Sequence, residues 1–140
     1  MNDINFLKLE KILVILLVMF AGYLCFIGGY GSDEDTLPMF GVFTSLLDSG
    51  KLMTSRFTGY PVAEIGLGFL AYNLGSFYTN LVTCTFFILG ISIIFLTLSN
   101  FKKENIFLFL LLCLSNQFLF FDNLEPIDYS WALFFFSLGL

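Results

Sequence analysis

Hydrophobic residues along this chain fall into four long runs, separated by short stretches where polar side chains cluster. The first run is uncharged from position 12 to 32, 21 residues. At a helical rise of 1.5 Å per residue it reaches about 31 Å, enough to cross a bilayer core. A polar start at 1–11, with Lys8 and Lys11, precedes a first span at 12–30. No small-x-small cleavage site follows, and Leu24 stands before Cys25 where a lipoprotein signal needs a small residue, so the span reads as uncleaved. Further spans are predicted at 81–98 and 106–121, and a fourth begins at 129–140. Residues 99–105 form a polar turn and 122–128 a loop.

The loop at 31–80 has a different period. Met39, Phe40, Phe43, Leu46 and Leu47 fall on one helical face, with Thr44, Ser45, Asp48 and Ser49 on the other. Asp35 or Thr36 can cap this helix, Pro38 suits its first turn and Gly50 ends it. The segment 36–50 is too short and too polar to span, which predicts an amphipathic helix lying in the interface. Pro61 opens a second such helix at 61–76, with Glu64 in the first turn, where the helix dipole favours an anion. Glu64, Gly68, Ala71 and Gly75 recur at spacings of four, three and four, a narrow small-residue face suited to close approach by a helix or lipid chain.

Composition sharpens the class. Only 12% of residues are charged, half the share of a soluble domain, and twenty are Phe. The expected fold is all-α: a polytopic membrane protein whose long first outer loop carries interfacial helices. The net charge of -5 disfavours nucleic acid as a partner. The absence of histidine excludes Ser-His-Asp and Cys-His catalysis and any His-ligated metal from this stretch. A metal here would need carboxylates, which suit Mg²⁺ or Mn²⁺. Cys25, Cys84 and Cys113 lie in apolar runs with neither disulfide nor ligand spacing, and read as small hydrophobes.

Charge also orients the chain. Lys8, Lys11, Lys102 and Lys103 lie on one side of this topology, Lys51 and Arg56 on the other. The positive-inside rule makes the amino terminus cytoplasmic in a multi-pass cell membrane, with both acidic loops on the outer face. The fourth run has about 12 residues, too few to span, so the expectation is an amino-terminal portion of a longer polytopic protein.

Three segments carry a resemblance to a known family. Ser32-Asp33-Glu34-Asp35 is similar to the acidic first-loop motif of the C-type (GT-C) membrane glycosyltransferases, which include the dolichyl-phosphate-mannose mannosyltransferases. Ser55-Arg56-Phe57-Thr58-Gly59-Tyr60-Pro61-Val62-Ala63-Glu64 resembles the Arg-x-Pro-Gly-Tyr-Pro-type segment of bacterial members, with Thr58 where proline is commoner. Asp128-Tyr129-Ser130-Trp131-Ala132 resembles an Asp-Tyr/Phe segment opening a fourth helix. The resemblance implies an incomplete GT-C-like domain, a polyprenyl-phosphate-linked sugar as donor, and a glycan, lipid or protein acceptor. It further implies a first-loop carboxylate, Asp33 or Glu34, as base on the acceptor hydroxyl, and inversion at the sugar. Arg56 is the local cation for the leaving phosphate. Asp35, Glu64 and Asp128 are the further substrate-binding candidates.

Each residue has a plainer reading. The acidic triplet can be a solvated helix end, Arg56 an anchor on anionic lipid, Glu64 a dipole partner, Asp128 a cap, and Tyr129 with Trp131 an aromatic belt. The alternative for the whole chain is a small non-enzymatic membrane protein, an assembly subunit or a piece of a lipid transporter.

Overall fold

The computed structural model describes residues 3–31, 36–53, 55, 61–98, 105–116, 119, 124–126 and 128–140, with the backbone alone for 3–7, 36 and 98. All regular structure among them is helical. The elements are α1 (Asp3–Ile27), α2 (Thr36–Ser49), α3 (Pro61–Leu74), α4 (Ser76–Leu98), α5 (Ile106–Ser115) and α6 (Asp128–Leu138).

Two helices are long and apolar enough to cross a membrane, over Lys8–Ile27 and Ser76–Thr97. Ile12, Ile15, Leu16, Met19 and Phe26 of α1 are exposed, a surface that needs apolar surroundings. This coarse chemistry associates the chain with a membrane.

Helix α1 begins at Asp3, well before position 12, because nothing in 3–11 breaks a helix. It stops where Gly29 and Gly31 take left-handed φ values of 61° and 75°. Helix α4 begins at Ser76, not 81. The Gly75 N–H closes α3 on the carbonyls of Leu70 and Ala71, and the Gly75 carbonyl accepts from the N–H and hydroxyl of Thr79. Gly75, at φ 80°, therefore joins α3 directly to α4, with no loop between.

Helix α5 is shorter than the expected 106–121. Asn116 turns extended at φ -74° and ψ 115°, and its side-chain carbonyl accepts the Leu119 N–H at 3.2 Å. That local bond competes with helix continuation. Ten residues reach about 15 Å, half a bilayer core.

Helix α4 is the hub. Asn80 Nδ2 donates to the carbonyl of Gly29 at 2.6 Å and that of Cys25 at 3.3 Å, setting α1 antiparallel to α4. Phe95 stacks on Phe109 of α5 at 4.5 Å between centroids. Lys11 Nζ lies 5.4 Å over the Phe107 ring, tying α5 to α1 by a cation–π contact. Helix α6 runs parallel to α4: Trp131 meets Thr83, and Phe134 stacks on Phe86 at 4.4 Å.

Helices α2 and α3 pair with each other. Helix α2 buries Met39 and Val42 against α3, while Leu47 is exposed. The packed face keeps Met39, Phe40, Phe43 and Leu46 as expected and adds Val42, whereas Leu47 lies outside it. Gly68 permits that approach, since a Cβ there would collide with Phe43 Cβ.

Cys25 of α1 and Cys84 of α4 are both buried in the cluster that fills the α1–α4 seam. Oxidation of the folded chain in detergent with copper phenanthroline is expected to leave one of its three thiols open to maleimide when the chain is afterwards unfolded in SDS and labelled. Persistence of all three labels would contradict this register.

Candidate functional site

The end of the bundle where α1 stops and α4 and α6 start carries a buried polar layer. Thr79, Asn80 and Thr83 of α4 are buried there, as are Asp128 and Ser130 of α6 and Glu64 of α3. Thr83 lies one turn beyond both Thr79 and Asn80, so the three occupy one arc of α4. Thr79 and Thr83 return their hydroxyls to the carbonyls four residues earlier, at 2.9 and 3.0 Å. The Thr83 oxygen also accepts the Trp131 Nε1–H at 3.3 Å.

Glu64 is fully buried. Its Oε1 accepts the Ser55 hydroxyl at 2.5 Å and its Oε2 the Ser55 N–H at 3.2 Å. Helix α3 thus holds the segment preceding it by a charge-assisted pair of bonds. Asp128 is also fully buried, in the first turn of α6. One turn further, the Trp131 ring lies where a Cβ on Gly66 would stand, 2.5 Å from it, so α3 and α6 meet edge to edge. The burial of Trp131, 7% exposed, corrects its reading as a belt residue; Tyr129, on the opposite side, is exposed.

Gly31, where α1 gives way to the first loop, meets Glu125 of the second. A Cβ on Gly31 would stand 2.6 Å from the Glu125 carboxyl carbon, so that carboxylate lies on the glycine from which the first loop departs. Asp33, Glu34, Asp35 and Arg56 lie outside the described residues. Among the described residues, no group of three His, Cys, Asp or Glu side chains is close enough to hold a metal. Sequence reasoning missed Asn80, Thr83, Gly66 and Glu125. The one signal for the first two was a polar triplet at helical spacing leading into an apolar run.

Two recesses flank this layer. One, of about 240 Å³, lies between the end of α1, Asn80 and the Leu124–Glu125 turn. The other is an apolar groove of about 310 Å³ between Pro61, Val62 and Ala63 of α3 and Trp131, Ala132 and Phe135 of α6.

Fold and site define an α-helical, membrane-associated protein with a buried polar layer at one end of its bundle. No protein-family model, curated protein or solved structure matches the chain.

Proposed function

We propose that this chain supplies the first helices of a GT-C-type glycosyltransferase, which moves a sugar from a polyprenyl phosphate to an acceptor on the outer face of the membrane. The observation that carries the reading is the seat of Glu125 on Gly31, which draws the second acidic loop to the start of the first. A base for an acceptor hydroxyl must stand at the membrane surface, where the donor phosphate lies. In this reading Asp33 or Glu34 takes the hydroxyl proton. The oxygen bonds to the anomeric carbon from the side opposite the phosphate, and the phosphate leaves with the bonding electron pair. The apolar groove between α3 and α6 suits a prenyl chain. In this reading the amino terminus is cytoplasmic, and Arg56 is the cation that offsets the charge of the leaving phosphate.

Glu64 takes a structural rather than a substrate-binding role in this reading, because both its oxygens are engaged by Ser55. That geometry suits a positioning residue for the Arg56 segment.

The test is transfer of label from polyprenyl-phosphate hexose or pentose in native membranes containing the protein as encoded. Asp33→Asn or Glu34→Gln is expected to lower the rate by about 10²–10⁴, the range for loss of a general base. The 140-residue chain purified alone is expected to give no turnover. Undiminished transfer in both variants would overturn the assignment of the base. An absence of transfer with any lipid-linked sugar would favour the non-enzymatic alternative.

A further inference from the structure

The described tyrosines collect at one end of the bundle. Tyr78 lies in the first turn of α4, and Tyr72 lies one turn before Gly75, the residue that joins α3 to α4. Tyr23 lies one turn inside the end of α1, where Phe26 packs edge-on against Phe77 at 5.9 Å and the Cys25 carbonyl accepts from Asn80. Tyr129 lies in the first turn of α6, just before Trp131, whose indole reaches Thr83. All four therefore stand level with the first two turns of α4, though each comes from a different helix. They are 49–64% exposed. Tyr30 sits at the same end and donates its hydroxyl to the Ala71 carbonyl at 3.2 Å. Tyr60 lies outside the described residues. Phenylalanine shows no such preference: Phe20 lies midway along α1, Phe95 near the far end of α4 and Phe107 at the start of α5.

What separates the two residue types is the hydroxyl. A tyrosine presents an apolar ring with a polar tip, the combination that suits the boundary between hydrocarbon and headgroups. Water alone does not match this surface, because Phe26, Ile27, Phe69 and Leu74 are exposed among the tyrosines. The opposite boundary is marked by charge. Lys8 and Lys11 are exposed at the other end of α1, where long stems let a cation reach the headgroups. The apolar stretch Lys8–Ile27 has 20 residues, about 30 Å of helix, the thickness of a bilayer core. We propose that Tyr23, Tyr72, Tyr78 and Tyr129 form an interfacial girdle that holds this end of the bundle at the headgroup layer of a phospholipid bilayer. The buried layer of Thr79, Asn80, Thr83 and Asp128 then lies at headgroup depth, as does Glu125 on Gly31. The inference rests on packing and exposure, and is independent of the transferase reading.

The test is tryptophan quenching in vesicles of phosphatidylcholine whose acyl chains are brominated either near the glycerol or near the bilayer centre. Tyr23→Trp, Tyr72→Trp, Tyr78→Trp and Tyr129→Trp are made one at a time in the full chain carrying Trp131→Phe, so that a single indole reports. These exposed positions accept the larger ring without repacking. Met19→Trp is the deep reference, since Met19 is 67% exposed near the middle of the α1 span. Each of the four tyrosine variants is expected to lose more fluorescence to the shallow bromines than to the deep ones, and Met19→Trp to show the reverse. One shared depth for positions on four different helices is what a girdle requires. Any of the four reading as deep as Met19→Trp overturns the proposal. Failure of both lipids to quench the four overturns it as well, because the tyrosines would then face water or protein.

Discussion

Replacement of Trp131 by alanine is expected to destabilise the bundle by about 3 kcal/mol, the low end for a buried aromatic. The ring fills the junction of three helices. It packs edge-on against Phe86 at 4.7 Å, covers Gly66 and sits in a cluster with Met39, Ala63 and Leu67. Inside a membrane the loss is of packing rather than of transfer from water, which is why the lower end applies. Trp131→Phe keeps most of the packing and removes only the bond to Thr83, which is worth about 0.6 kcal/mol on the scale measured in membrane bundles. Unfolding in mixed detergent and SDS, followed by far-UV circular dichroism, reads both variants. An alanine variant with an unshifted midpoint would show that α6 does not seat on α4 and α3 through this residue.

Gly68→Ala is expected to cost about 1–3 kcal/mol by overpacking. The added methyl would collide with Phe43 Cβ and meet the Met39 carbonyl at 3.5 Å. Neither neighbour is the movable end of a side chain, so α2 itself must retreat. Retreat exposes Met39 and Val42 and loosens the contacts of Phe43 with Phe69 and Tyr72. Gly41→Ala is the control: it lies on the same pair of helices with open space at its Cβ, and is expected to be neutral or slightly stabilising. Protease sensitivity of the 50–60 segment, alongside the unfolding midpoint, reports whether α2 has left α3. Equal behaviour of the Gly68 and Gly41 variants would contradict the packing described.

The helical character of the chain was legible because its periodicity is strong. Pro61 and Gly50 also mark helix boundaries by backbone chemistry that needs no partner. The small-residue face of α3 was legible as a contact surface for the same reason: absence of side chain at Gly68 permits close approach whatever arrives. Which helix arrives was not legible. The face of α2 that packs, with Val42 in and Leu47 out, depends on the close approach that Gly68 permits rather than on the sequence's own apolar count.

The polar layer shows the same division. By apolar pattern alone Thr79 and Asn80 fall in the loop, because the uninterrupted apolar run begins at 81. Yet an asparagine in a helix is tolerated here because α1 ends in carbonyls that receive its amide. Asn116 shows the converse, since an apolar run conceals a break that one side-chain bond enforces.

By itself, the amino-acid sequence determined that this protein is helical and membrane-associated, that two of its polar segments are acidic, and where glycine and proline start or end helices. These properties follow from composition and from residues within a few positions of one another. Only the tertiary structure decided that Trp131 is an anchor rather than a belt residue, that Glu64 holds Ser55, and that Glu125 and Asn80 share a recess with the end of α1. Each of these joins residues far apart in the chain, and such pairings depend on shape and hydrogen-bond geometry that no local period encodes.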